Sequence, residues 1–350
     1  MNVIQDNLRR WVPILVVLIA LLGVVFIVAD LEQIVTAVKQ ADWRWIPYAL
    51  VTMAISYACI SASFALVSKL MGISMGRVDL VVVGFVSSVL NHIVMSGGAA
   101  GYTVRFMLMN RHGVTMREVV AISILHFYLT ALFMVAMLPF GLIYLGLNAA
   151  ISQTVTLLLA VSASILFLLA ILATILIFRS QLRKRVIDLL VKAVQALIQR
   201  DIGDPLARFD QTMDQGVSAM RDHPSTMAVI AALIVIDWAF SAATLWFCFR
   251  AFDVAPSLGQ LISGFVSGTV AGQASLLPGG LGMLEASMSG IFVLFGVAFE
   301  KAVLVSVLYR VVYSVVPYVV SLGLYRLALR REGNAKNSFS QEGDDENPYA

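Results

Sequence analysis

Two copies of one short sequence, each running into a glycine cluster, limit what this chain can fold into. Gly84-Phe85-Val86-Ser87 recurs as Gly264-Phe265-Val266-Ser267. An apolar stretch follows each copy. It ends at Ser96-Gly97-Gly98-Ala99-Ala100-Gly101 in the first and at Pro278-Gly279-Gly280-Leu281-Gly282 in the second. Matched helix breaks inside hydrophobic segments, one per half, point to a transporter built from internal repeats. Lipid offers backbone N–H and C=O groups no partners. A broken helix at membrane depth therefore survives only inside protein or against a polar cavity. The alternative is two glycine-rich loops at the membrane surface.

Composition places the breaks in a membrane. Of 350 residues 60% are hydrophobic and 13% are charged, which excludes an ordinary soluble domain. The run 12–29 follows Arg9 and Arg10 and is long for a signal peptide, so it reads as a retained first span. Cys59 and Cys248 both lie in hydrophobic segments and read as packing residues. The chain carries no phosphate-binding loop, no His-Glu-x-x-His and no cysteine pair at zinc-ligand spacing, so no enzyme activity, metal or other cofactor is expected. Nothing in it suggests nucleic acid as a partner.

Hydropathy marks segments at 12–29, 45–68, 79–104, 119–147, 153–178, 225–251, 258–297 and 302–327. Five basic clusters orient them, and 19 of the 24 Lys and Arg fall on one side when these are placed in the cytoplasm. Lys69 and Arg77 precede segment 79–104, and Arg105 and Arg111 follow it, so both its ends want the cytoplasm. By parity, segment 258–297 leaves and returns on the outer side. The expectation is an all-α polytopic membrane protein, with six full spans and two oppositely oriented re-entrant hairpins that make an inverted repeat. Residues 1–333 form the membrane domain, with repeat halves at about 45–147 and 225–327. An amphipathic cytoplasmic linker at about 180–222 carries a basic face for the anionic leaflet, and 334–350 is a disordered polar tail. Both termini are cytoplasmic, and the membrane is a bacterial inner membrane.

Ionisable side chains within a bilayer are costly and are functional candidates by default. Here these are His126, Asp237, Glu285 and Arg310. Glu285 follows Gly282 by three residues, at the start of a half-helix that favours a carboxylate; the alternative is that it only caps that helix. Arg310 lies within a span and needs an internal partner or a bound anion. Glu285 is the expected partner, with Asp237 as the alternative, and a lipid phosphate is the expected ligand. His126 reads as an interior hydrogen-bonded residue. Asn91, His92 and Gln273 approach the two breaks, where freed backbone groups need partners. Gly279, Gly280 and Gly282 are expected to need positive φ or close approach, so replacing Gly280 with Val is expected to impair activity more than replacing a mid-span glycine such as Gly141.

Leu277-Pro278-Gly279-Gly280-Leu281-Gly282-Met283-Leu284-Glu285 resembles the Pro-Gly-Gly-Leu-Gly-x-x-Glu signature of the lysylphosphatidylglycerol synthase transmembrane (flippase-like) family. Arg310, Tyr313 and Pro317 are similar to that family's last span. Asn91, Gly97, Gly98, Gly101 and Arg105 match its first-half motif. Ser96 and Tyr102 depart from that motif, at places where proline and an acidic residue are usual. The resemblance implies substrate-binding or gating roles for Asn91, Gly97, Gly98, Gly101, Arg105, Pro278, Gly279, Gly280, Gly282, Glu285, Arg310 and Tyr313, and Asp237 joins them as an intramembrane acid. It also implies a lipid flippase for a phospho- or aminoacyl-type polar headgroup. The chain ends soon after its last span, so translocation without synthesis is expected. Membrane lipids are the expected partners, with a separate lipid-modifying enzyme as a further one. The alternative is a non-transporting scaffold or regulator of a lipid-modifying or glycan-assembly enzyme.

Overall fold

A computed structural model describes residues 31–93, 99–149, 152–198, 203–275, 280 and 282–324. The expected first span 12–29, the tip residues Gly97, Gly98, Pro278 and Gly279, and the tail 334–350 lie outside the described residues. Among those described, five helices are long and apolar enough to cross a membrane: Trp43–Leu70, Met116–Asn148, Gln153–Phe178, Pro224–Ala251 and Phe299–Leu324. They coincide, to within three residues at each described end, with five of the six expected full spans. Hydropathy alone gives this accuracy because a length of about 20 apolar residues is set by the bilayer and not by neighbours.

In chain order, α1 is Leu31–Gln40. A short 3-10 turn at Trp43–Trp45 leads into α2, Ile46–Leu70. The paired short helices α3 (Arg77–Ile93) and α4 (Ala99–Asn110) follow, then α5 (Met116–Asn148) and α6 (Gln153–Phe178). Two amphipathic helices, α7 (Ser180–Ile198) and α8 (Gly203–Asp222), lead to α9, Pro224–Ala251. A second pair, α10 (Leu258–Ala274) and α11 (Met283–Leu294), precedes α12, which begins at Phe299–Arg310 and passes through a π-helical turn at Val311–Val315. Local chemistry sets several starts. Ser257 and Gln260 exchange hydrogen bonds at the head of α10, Glu118 accepts from the Thr115 N–H at 2.7 Å before α5, and Pro224 opens α9 where its missing N–H costs nothing.

The order long, short, short, long therefore occurs twice, as α2–α5 and as α9–α12. The two leading helices pack on each other in antiparallel fashion. Thr52 meets Thr244 at 2.9 Å, whereas Ser56, one turn later, meets Ser241 at 3.0 Å. Each short pair is also antiparallel. Asn91 reaches Gly101 and Ser87 reaches Arg105 in the first. In the second, Gly264 faces Phe292 and Gly272 faces Leu284. At ~1.5 Å per residue, the 17-residue α3 and α10 and the 12-residue α4 and α11 all fall short of a ~30 Å hydrocarbon core. One apolar core, with Phe249, Met288, Phe292 and Val305 fully buried, sits among α2, α9, α10, α11 and α12. The other, with Phe64, Leu80, Ile122 and Leu125, lies among α2, α3, α5 and α8.

Two expectations change. The 180–222 segment is two helices, not one interfacial stripe, and Arg183 does not lie on a solvated basic face. It is 7% exposed, donates to Asp210 at 2.5 Å and to Asp214, and satisfies the Ile177 carbonyl at 2.7 Å. Asp210 and Asp214 stand one turn apart on α8, so a single guanidinium can take both while closing an orphan carbonyl at the end of α6. Gly141, the mid-span comparison for Gly280, is itself closely packed. Its carbonyl accepts from Ser263 at 2.7 Å, and a Cβ there would stand 3.1 Å from the Ser263 Cα. A glycine inside a long apolar helix has no sequence mark distinguishing a contact face from a lipid face, so only packing reveals it.

Candidate functional site

The second glycine cluster builds an ion-pair site. Gly280 and Gly282 both take positive φ, +58° and +79°, a conformation that a Cβ makes costly. This turn starts α11 so that Glu285, in its first turn, points inward. One carboxylate oxygen accepts from the Gly282 N–H at 2.9 Å and the other from Arg310 Nε at 2.5 Å. Arg310 also reaches the Gly280 carbonyl, at 3.4 Å. The side chains of the pair are 3% and 2% exposed. Glu285 thus caps its helix and neutralises Arg310 at once.

Beyond Arg310, the π-helical turn re-aims α12. Tyr313 stacks on Tyr309 at 5.2 Å between ring centroids and lies 5.1 Å from the ring of Tyr57. Its backbone carbonyl accepts from the Tyr57 hydroxyl at 2.8 Å. A one-residue π insertion displaces carbonyls from the regular ladder, and Tyr57 takes this one. The Tyr313 hydroxyl meets Ser56 and Ser241, each at 2.6 Å, and Ser56 shares a hydrogen bond with Asp237 at 2.5 Å. Asp237 is thereby hydrogen-bonded to α2, while Arg310 is paired to α11. His92, at the end of α3, packs its ring edge-on to Tyr57 and Tyr313, which brings the first short pair against the second half.

In the first short pair, Asn91 ties the end of α3 to the start of α4 by accepting from the Gly101 N–H at 2.9 Å. A Cβ on Gly101 would fall 2.3 Å from that oxygen, so glycine is needed for the approach. Arg105 is 5% exposed. Its Nε donates to Ser87 at 2.9 Å and its guanidinium lies 4.4 Å over the Phe64 ring, and it has no carboxylate partner among the described residues. Phe64 also meets His126 edge-on, and His126 is buried against the Ser63 hydroxyl at 2.9 Å. Gln273 is exposed. Among the described residues, no group of His, Cys, Asp or Glu is placed to hold a metal ion.

Ser56, Tyr57 and Ser241, unmarked in the sequence taken singly, complete these networks together with Ser87 of the repeated lead-in. Thr52/Ser56 and Asp237/Ser241 each share a helix face at four-residue spacing. That spacing is the one signal by which the polar seam could have been found.

The family model for the lysylphosphatidylglycerol synthase transmembrane region matches residues 11–321. A membrane protein of Methanothermobacter thermautotrophicus described as UPF0104 is 38% identical over 73 residues, which is 21% of this chain and 22% of that protein. A phosphatidylglycerol lysyltransferase of Staphylococcus aureus (strain MRSA252) is 33% identical over 87 residues, 25% of this chain and 10% of that protein. The matched stretches thus span under a quarter of these relatives.

Proposed function

Because the chain belongs to the lysylphosphatidylglycerol synthase transmembrane family, we propose that this multi-pass membrane protein moves a lipid with a phosphate-bearing headgroup across a bacterial inner membrane. In this reading the two short helix pairs are re-entrant hairpins entering from opposite faces, the repeat is inverted, and both termini are cytoplasmic. The antiparallel packing of α2 on α9 and the sub-membrane length of α3, α4, α10 and α11 support it. The substrate lipid is the principal partner, and aminoacyl lipids are included by the name of the Staphylococcus relative. A separate lipid-modifying enzyme would supply such a lipid.

The observation that carries the proposal is Arg105. A guanidinium buried in the protein with only a hydroxyl and a phenyl ring for described partners lacks the anion its charge calls for. A phosphate supplies that anion and matches the fork of the side chain. Arg310, expected at first to grip the phosphate, is already held by Glu285 and becomes the anchor of the second hairpin. The second reading, a non-transporting scaffold, is favoured by the seam between α10 and α11, which is apolar and closed by glycines.

Reconstitution separates the two. The full chain is placed in phosphatidylcholine/phosphatidylglycerol vesicles with a trace of headgroup-labelled phosphatidylglycerol, and the fraction quenched by a membrane-impermeant reductant is followed in time. A transporter exposes inner-leaflet label faster than protein-free vesicles do, and Arg105→Ala returns the rate to that background. Wild-type protein indistinguishable from protein-free vesicles, for phosphatidylglycerol and for its lysyl ester alike, leaves the scaffold.

A further inference from the structure

The seam between α2, α9 and α12 can be tested by counting protons. Four oxygens take part: the hydroxyls of Ser56, Ser241 and Tyr313 and the carboxyl of Asp237. Four close contacts join them: Ser56–Asp237 at 2.5 Å, Ser56–Ser241 at 3.0 Å, Ser56–Tyr313 at 2.6 Å and Ser241–Tyr313 at 2.6 Å. Each contact needs one proton between its oxygens, and each hydroxyl owns one proton. The three hydroxyls therefore fill three contacts. With an ionised carboxylate the Ser56–Ser241 contact stays without a proton, and the buried carboxylate is left with a single hydrogen bond and no ion-pair partner among the described residues.

A protonated carboxyl completes the set. Asp237 donates to Ser56, Ser56 to Ser241, Ser241 to Tyr313, and Tyr313 back to Ser56. Every oxygen then donates once, and none accepts more than two bonds, which is the capacity of a hydroxyl. No other group removes the need for that proton. Around Asp237 stand the phenols of Tyr57 from α2 and of Tyr309 and Tyr313 from α12, stacked on one another, and a phenol is uncharged at neutral pH. Arg310 of α12 is paired with Glu285. The neighbouring Trp238 packs on Phe133 of α5 and Phe265 of α10, which carry no charge. The Trp43–Trp45 turn meets α9 more than two turns away, at Trp246 and Phe247.

We propose that Asp237 is a proton-binding site, loaded in the conformation described here, and that releasing its proton to water opens the seam between α2, α9 and α12. The balance is simple: the carboxyl becomes a carboxylate, the proton passes to water admitted between the helices, and the ring of hydroxyls loses one of its four hydrogen bonds. A carboxylate left at this depth needs water or a new donor, so the separated seam is favoured by the charged form and the closed seam by the neutral one. Because α2 and α9 lead the two halves, a proton taken up on one side and released on the other would drive the cycle. That last step rests on the translocation reading above; the proton site itself does not.

The test has two arms on the full chain in lipid. Infrared spectra at neutral pH should contain the carbonyl stretch of a protonated carboxyl, sensitive to exchange into heavy water and missing in Asp237→Asn. The amide of Asp237→Asn supplies the fourth proton, so this variant should fold and melt as the wild type does, and a variant that fails to fold contradicts the count. In the labelled-phosphatidylglycerol vesicles, a pH gradient should change the wild-type rate according to its direction, and Asp237→Asn should lose that response. A spectrum with the carboxylate form alone overturns the proton site, and a wild-type rate indifferent to the gradient overturns the coupling. Vesicles that move no lipid while the protonated band is present sink the transport reading and leave the proton site standing.

Discussion

The two short helix pairs share a lead-in sequence and a glycine break, but they handle a buried arginine in opposite ways. In the second, the turn at Gly280 and Gly282 delivers Glu285 to Arg310, and the charge is cancelled inside the protein. The seam behind it is apolar, with Gly264, Gly268 and Gly272 on one face of α10 against Phe292, Met288 and Leu284. In the first, Tyr102 stands where an acid would complete the pattern, and Arg105 rests on Ser87 and Phe64. Its seam is polar, with Asn91 holding the Gly101 N–H. Closed charge balance with apolar packing suits a fixed part, whereas an unbalanced charge beside a polar seam suits one that takes a ligand. A single carboxylate separates these outcomes, since a buried charge is tolerated only with a counter-charge or an anion to meet it.

Breaking the balanced pair should have the largest effect. Glu285→Ala strands Arg310 in the core and is expected to cost about 3–5 kcal/mol, read as a lower melting temperature in detergent. Adding Arg310→Ala should recover part of the loss, because the orphaned cation is then gone. If the double variant is no better than the single one, the pair is not what holds this hairpin.

The glycine faces come next. Gly264→Ala places a methyl 2.3 Å from the Phe292 ring, and Gly101→Ala sets one equally close to Asn91. Each is expected to cost about 1–3 kcal/mol by overpacking. Gly146→Ala is the control, since a Cβ there meets nothing within 4 Å, and it should stay within about 0.5 kcal/mol of wild type. Equal melting temperatures for all three would dissolve the comparison between packed seams and lipid-facing glycine.

The smallest stability effect should be at Arg105. Losing its ring contact costs roughly 2 kcal/mol for a desolvated cation, and removing a buried cation with no described acid partner offsets that. Arg105→Ala should therefore melt within about 1 kcal/mol of wild type while lipid movement falls to background. Arg105→Lys should restore little of it, since a point charge lacks the bidentate fork. A large drop in melting temperature for Arg105→Ala would make this arginine structural, like Arg310.

Much of this architecture can be read from the chain alone, because one solvent property imposes it. Lipid demands apolar runs of a set length and forbids unpaired backbone, so the five described helices of spanning length and the choice of Glu285 and Arg310 as exceptions follow from residue order. Membership of the family is legible in the same way, in Pro278 through Glu285. What only the tertiary structure decided are contacts between helices far apart in the chain. Ser56 and Ser241 look like ordinary small polar residues in apolar helices until antiparallel packing sets them beside Asp237 and Tyr313, across 181 and 257 residues from Ser56. Arg183 reads as one more basic residue at the membrane surface until α8 brings Asp210 and Asp214 to it. The role of Arg105 turned on whether a carboxylate from some other helix would reach it. Hydropathy is a property of each residue against its solvent, whereas charge compensation and hydrogen-bond closure belong to pairs, and packing alone chooses the pairs.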